Sequence, residues 1–215
     1  MSREEVQQGG YTDVEYLQFQ QGGWVKVLQR VLGVLSWPVI WPMAMLSRLS
    51  DIVFRSFSEL LSVVPYFPGV ILRYEFYRFA LRRCGKNCLF EFGAVFIYSD
   101  VEVGDNVLVG RFSIIHHCNI GNDVLIGERC TFLSGMKQHK FDRADIPMNL
   151  QGGAKKRIVI SDDCWIGSQS VVMDDLATGC IIGAGSVVTK AIPGNSIAVG
   201  NPAKVVRSRL NSSET

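Results

Sequence analysis

From Val103 onward an aliphatic residue returns every six positions, and glycine often follows it. Val103-Gly104 leads to Val109-Gly110. Ile120-Gly121 leads to Ile126-Gly127 and Phe132, in a phase offset by one residue from the first run. After an interruption come Ile160, Ile166-Gly167 and Val172, then Leu176, Ile182-Gly183 and Val188. A period of six is neither the 3.6 of a helix nor the two of a simple strand. Each unit is therefore one short strand plus one turn, repeated as a stack. The aliphatic side chain points inward and builds a continuous column, while Gly, Asn and Asp take the tight corners. Three units make one triangular coil, and stacked coils bury the column. The step from Val172 to Leu176 is four residues, which predicts a shortened corner.

This pattern resembles the hexapeptide-repeat family, whose coils form a left-handed parallel β-helix. The resemblance covers residues 84–207. It implies a mainly β fold, with the residues before 84 as a separate helical extension. The stretch 135–157 breaks the repeat and should leave the coil as a loop.

That loop carries His139. Loops on a rigid scaffold are where a base can be positioned. A sugar hydroxyl is a poor nucleophile at neutral pH, and an imidazole within hydrogen-bond reach can take its proton as the oxygen attacks a thioester carbonyl. The imidazolium can then protonate the departing thiolate, and a backbone N–H can stabilise the tetrahedral oxyanion. The run from His139 to Trp165 resembles the sugar O-acetyltransferase branch of the same family. There a loop of the form His-x-Phe-x-x-x-x-Ile-Pro precedes a coil of the form Ile-x-x-x-x-Trp-Ile-Gly, and both stand here as His139 to Pro147 and Ile160 to Gly167. The resemblance implies that His139 is the catalytic base. Asp142 and Asp145 are nearby carboxylates for orienting it, Asp142 the first choice. A competing base is His116, beside His117 in IIHHCNIGND, which resembles the His-Asp-Cys coil of sugar-lipid and sugar-amine acyltransferases. The Asp of that motif is His117 here, so a substrate-binding role for His116 and His117 is the companion reading.

Residues 160–207 resemble the acetyl-CoA-binding end of maltose, galactoside and polysaccharide O-acetyltransferases. The resemblance implies that Trp165 flanks the pantetheine arm. Ser168 and Ala184 sit where backbone amides meet the cofactor, and Thr189 and Lys190 line the pantetheine and phosphate path. Lys204 and Arg207 approach the ribose phosphate. The chemistry agrees: the small residues Gly183, Ala184, Gly185 and Ser186 let a chain lie against the coil, and Lys190, Lys204 and Arg207 supply cations for phosphate oxygens. The implied donor is acetyl-CoA, and no metal is required. The implied assembly is a homotrimer with sites between subunits.

The chain before the repeat has different physics. Between Trp24 and Phe90 lie nine Lys and Arg against three Asp and Glu, and three of the four tryptophans. Val31 to Leu46 carries no charge. A spanning helix needs about 20 apolar residues, so this stretch reads as too short to cross a bilayer comfortably. Pro38 and Pro42 should break or kink any helix there. The expectation is a segment dipping into one leaflet with tryptophans at headgroup depth, or else a cap over the coil end or a subunit interface. Ser50 should N-cap a helix from Asp51 to about Val63, ended by Pro65 and Pro68. A further helix over 69–83 should place Leu72, Phe76, Phe79 and Ala80 on one side and Glu75, Arg78 and Arg82 on another. Residues 1–23 and 208–215 read as tails, and 24–83 as a helical, membrane-associated region.

The chain is 47% hydrophobic and 20% charged, which excludes a disordered chain, and its net charge of +2 gives no case for nucleic acid. Its six cysteines form no CxxC pair, so they read as reduced thiols packed as small hydrophobes. A zinc site at Cys84 and Cys88 lacks a second close pair. The leading reading is an O-acetyltransferase for a sugar in a polysaccharide precursor or lipid-linked glycan, at the cytoplasmic face of a bacterial inner membrane. Serine, an amino sugar or an antibiotic is the alternative acceptor. A carbonic-anhydrase-like hydratase on the same fold would need three histidines from neighbouring coils. The chain has three in all, two of them adjacent.

Overall fold

The computed structural model describes residues 23–211. The polar segment 1–22 and residues 212–215, both read as parts of tails, lie outside the described residues. Strands of mostly two or three residues wind into three parallel sheets as a left-handed β-helix. Three inward columns form its core. The first sheet stacks Cys84, Val103, Ile120 and Ile160, and single bridges extend it to Leu176 and Ile192. The second stacks Phe90, Val109, Ile126, Ile166, Ile182 and Ala198. The third stacks Phe96, Ile115, Phe132, Val172 and Val188. All but Cys84 are buried. The phase offset now has a cause. The corner from the third sheet to the first, called the third corner below, takes only five residues from Ile115 to Ile120. It takes four from Val172 to Leu176 and again from Val188 to Ile192.

The residue two places before most column residues also turns inward, where the corner leaves little room. Cys88, Cys118, Cys130, Cys164 and Cys180 all hold this position and are buried, as are Ser113, Ser170, Ser186 and Ser196. Gly127 and Gly167 follow second-sheet column residues at the corner leading to the third sheet. A Cβ on Gly167 would lie 2.5 Å from the backbone nitrogen of Ala184 in the next coil, so the coil spacing itself excludes a side chain.

Three helices precede the coils: α1 (Gly23–Ser47), α2 (Asp51–Ser62) and α3 (Tyr66–Ala80). Ser50 caps α2, its hydroxyl accepting from the Val53 amide at 3.3 Å. The packing of α2 and α3 closes the end of the core. Tyr77 lies edge-on to Phe90 at 5.0 Å and to Phe96 at 4.7 Å, and Phe76 stacks on Phe54. Ser58 and the Tyr77 hydroxyl meet at 2.7 Å, and the Phe96 amide donates to Ser58. Burial pushes the Tyr77 phenol up to about 12.

Three expectations need correction. Pro38 and Pro42 do not end α1, which runs unbroken through both. They stand four residues apart on the exposed side with Val34, so the carbonyls they leave without donors share one outer face. Gly33, Ile40, Ala44 and Ser47 on the other side are buried, α1 packing mainly against α3. Glu75 is not on a solvated face: it is buried beneath α1, accepting from the Trp37 indole at 3.1 Å. Arg73, counted among the basic residues, is wholly buried. At the other end the folded chain continues past 207. Residues Lys204–Ser208 pair antiparallel with Ser196–Val199, and Arg209 forms an ion pair with Asp163 at 2.6 Å.

Candidate active site

The third corner collects the histidines. Tyr98, Ser99 and Asp100 turn it in the first coil, and His116 and His117 in the second. The loop 135–157 leaves from and returns to it after the third coil. Met173 to Asp175 and then Thr189 to Ala191 turn it above. The stacking follows from the 17-residue coil period: Asp100, His117 and Ser134 are 17 apart and touch. The His117 imidazole Nδ1 lies 3.0 Å from Asp100 Oδ1, and the His117 amide donates to Ser134 Oγ at 3.3 Å. The second Asp100 oxygen is held by the Arg157 guanidinium, which also donates to the Asp100 carbonyl at 2.5 Å and to Asn119 Oδ1 at 3.2 Å. The His117 ring lies flat on Tyr98, centroids 3.7 Å apart and planes within 11°. Lys155 Nζ donates to the Tyr98 hydroxyl at 2.7 Å.

The loop is folded on itself. The Lys140 amide donates to the Gly152 carbonyl and that of Ala154 to Lys137, both at 2.8 Å. Gln151 Nε2 ties the Arg143 and Ile146 carbonyls together. Lys156 anchors the return to Asp174 and Asp175. His139 is exposed on this framework, and among the described residues its ring makes no hydrogen bond. Asp142 is exposed and makes none either, so the structure does not join the two. Asp145 is taken by Arg143, whose guanidinium holds its carboxyl below the usual range. The histidine that does have a carboxylate is His117. Its partners Tyr98, Asp100, Lys155 and Arg157 were not singled out from the sequence, although the 17-residue spacing of Val103 from Ile120 would have placed Asp100 under His117.

His116 is half-buried at the same corner. Burial, then the charges of His117 and Lys155, hold its imidazole below the ordinary histidine range. The unfolded chain then binds its proton at a higher pH than the folded one, so stability falls on acidification through the ordinary histidine range. Thermal melts of wild type between neutral and mildly acidic pH should show this decline, and His116→Gln should flatten it. An unchanged slope in the variant would rule out the assignment.

The acetyl-CoA residues fall elsewhere on the same chain. Trp165 lies on the outer face of the second sheet, 54% exposed, between Leu125 below and Ile181 above. Ser168 and Gly183 to Gly185 turn the corner from the second sheet to the third, where Ala184 and Gly185 are exposed. The Gly185 amide bonds the Ser168 carbonyl at 2.8 Å, and the Ser168 hydroxyl accepts from the Glu128 amide at 3.2 Å. Lys204 and Arg207 are exposed on the C-terminal strand at the edge of the second sheet. Thr189 and Lys190 are at the third corner, three coils above the histidine pair. One chain therefore brings Trp165, Ser168, Ala184, Lys204 and Arg207 to one side, and His116, His117, the His139 loop, Thr189 and Lys190 to another. Among the described residues no group of three or more His, Cys, Asp or Glu is arranged to hold a metal.

Among solved structures, a hexapeptide-repeat acetyltransferase of Vibrio cholerae complexed with acetyl-CoA superposes with a TM-score of 0.61 at 19% identity. It covers 97% of this chain and 98% of its own. A maltose O-acetyltransferase of Clostridium difficile superposes with a TM-score of 0.60 at 22% identity, over 74% of this chain and 87% of its own. The chain has the left-handed β-helix fold of these proteins. Sequence relatives carry acetyltransferase names. A Mycobacterium tuberculosis protein named as an acetyltransferase is 38% identical over 114 residues, 51% of this chain and 37% of that protein. Escherichia coli WbbJ, provisionally named for O-acetyl transfer in lipopolysaccharide biosynthesis, is 29% identical over 123 residues, 54% of this chain and 61% of its own length. The chain thus spans less than two thirds of the length of these curated relatives. No family model matches it.

Proposed function

We propose that the protein is an acetyl-CoA-dependent O-acetyltransferase for a hydroxyl of a sugar, in a polysaccharide precursor or lipid-linked glycan. The observation that carries this reading is the strip formed by Trp165, the exposed Ala184-Gly185 corner and the cations Lys204 and Arg207 along one side of the coil. An aromatic face, a side-chain-free ledge with free surface above it, and terminal cations match a long amide chain ending in phosphates. In the reaction, a corner imidazole takes the proton of the acceptor hydroxyl. The hydroxyl oxygen bonds to the acetyl carbon, the carbon–sulfur bond breaks, and the imidazolium returns the proton to the coenzyme A sulfur. His139 is the base in this reading, and His116 is the alternative.

The separation of histidines and donor strip onto different sides of one chain supports a homotrimer, in which the histidine corner of one copy faces the donor strip of the next. Sedimentation should give three chains per particle, and mixing His139→Ala with Trp165→Ala subunits should restore part of the activity that each lacks. Purified protein should bind acetyl-CoA and release its thiol only with a glycoside acceptor. Release with serine or an aminoglycoside instead would move the acceptor to the alternative class, and no acetyl-CoA binding would end the reading.

The N-terminal region supports an acceptor at a membrane surface. α1 is longer than the uncharged run that marks it, and Val27–Ser47 is long and apolar enough to cross a bilayer. Only 22% of its apolar window is buried in the protein, and Val31, Val34, Leu35, Val39 and Trp41 are exposed. The double substitution Leu35→Glu, Val39→Glu should move the protein from the membrane to the soluble fraction while leaving its thermal stability unchanged. Continued sedimentation with membranes would remove this part of the proposal.

A further inference from the structure

The contacts around His117 fix more than its position. A carboxylate only accepts hydrogen bonds, so the 3.0 Å contact to Asp100 places the proton of the neutral ring on Nδ1. Asp100 cannot turn away, because Arg157 holds its other oxygen and its carbonyl. The ring cannot rotate, because it lies on Tyr98, itself held by Lys155. Nε2 is left as a lone-pair acceptor on a ring whose side chain is 20% exposed, and among the described residues it has no donor. This is a prearranged hydrogen-bond acceptor at the corner from which the His139 loop also springs.

We propose that His117, positioned by Asp100 and Arg157, accepts a hydrogen bond from a second hydroxyl of the acceptor, distinct from the one acetylated. The preferred acceptors are then polyols that offer a hydroxyl to each of two imidazoles, rather than serine or a simple alcohol. This rests on the acetyltransferase reading. Here His117 contacts the acceptor, and Asp100 and Arg157 are positioning residues that act through it.

The test uses full-length protein labelled with 15N-histidine, with methyl hexopyranosides as probe acceptors. Wild type should show His117 protonated at Nδ1, and adding the glycosides should shift its Nε2 resonance. Asp100→Ala should lose both signatures, and Asp100→Glu should recover part of them. With a glycoside that is turned over, Asp100→Ala should raise the acceptor KM about tenfold, the loss of one ordinary hydrogen bond, with kcat and the acetyl-CoA KM nearly unchanged. His117→Phe keeps the Asp100–Arg157 pair and should give the same split, which covers the case in which Asp100→Ala does not fold. A proton on Nε2 in wild type would overturn the proposal, as would a resonance that no glycoside moves. A collapse of kcat at unchanged KM would make His117 the base and overturn it too. Failure of the acetyltransferase reading itself would appear separately, as absence of acetyl-CoA binding by calorimetry.

Discussion

Arg73→Leu should lower the unfolding free energy by more than about 3 kcal/mol, since several buried acceptors lose a charged donor at once. The guanidinium is wholly buried on α3 and reaches two other parts of the fold. Its Nε donates to the Phe90 carbonyl in the first coil at 2.8 Å. Its Nη1 lies 3.0 Å from the Leu61 carbonyl, 3.3 Å from that of Ser62 and 2.8 Å from that of Val64, at the end of α2. The Leu61 and Ser62 carbonyls lie in the last turn of α2 and that of Val64 just beyond it, where the helix supplies few amides: the Val64 amide reaches Leu61 at 3.3 Å and the Gly93 amide reaches Ser62 at 2.9 Å. Leucine fills similar space but takes the charged donor from the Phe90 and Val64 carbonyls and a second donor from those of Leu61 and Ser62. Lysine has one compact ammonium in place of a planar fork and should recover less than half of the loss. Urea denaturation followed by far-UV circular dichroism measures the effect. A midpoint within error of wild type would show that water takes over the arginine's role. Gly69 belongs to the same joint, because a Cβ there would sit 1.9 Å from the Val64 carbonyl oxygen.

Arg73 also marks where sequence reading stops. Its neighbours in the chain show apolar periodicity on α3, and nothing local distinguishes a buried arginine from the solvated Arg78 or Arg82. The distinction comes from the α2 terminus and the first coil, which meet only in three dimensions. The same holds for Glu75, whose burial depends on α1 lying across α3. The repeat was readable because each unit repeats its own environment: an inward position always follows a corner, so Val103, Ile126 and Ile182 announce themselves individually. The first coil was partly hidden because its column residues are Phe90 and Phe96. Aromatic rings suit the end that Tyr77 closes, and they do not match an aliphatic period. The prolines misled because a local rule about helix breakers was applied without the packing partner that holds α1 together. At the candidate site, His116, His117 and His139 were visible as residues. Asp100 was not, since its role depends on being one coil below His117.

His139→Ala should lower kcat by about 10²- to 10⁴-fold, the usual contribution of a positioned general base, while acetyl-CoA affinity stays near wild type. The donor strip lies on another side of the coil, so removing this ring leaves Trp165, Ala184 and Lys204 untouched. Exposure and lack of partners among the described residues fit a base whose surroundings are completed by a neighbouring subunit and the acceptor. The competing assignment gives a different signature. His116 is held below the ordinary histidine range by burial first, with the Lys155 ammonium adding to it. A base must be unprotonated to act, so a rate carried by His116 would persist to lower pH than an ordinary histidine allows. Lys155→Met would then move the acid limb of kcat/KM upward, because one of the charges that depress His116 is gone. Loss of activity in His116→Ala together with that shift, and near-normal turnover in His139→Ala, would transfer the role from the loop to the coil. If His139 is the base, Lys155→Met leaves the acid limb in place, and the two variants separate the assignments without knowledge of the natural acceptor.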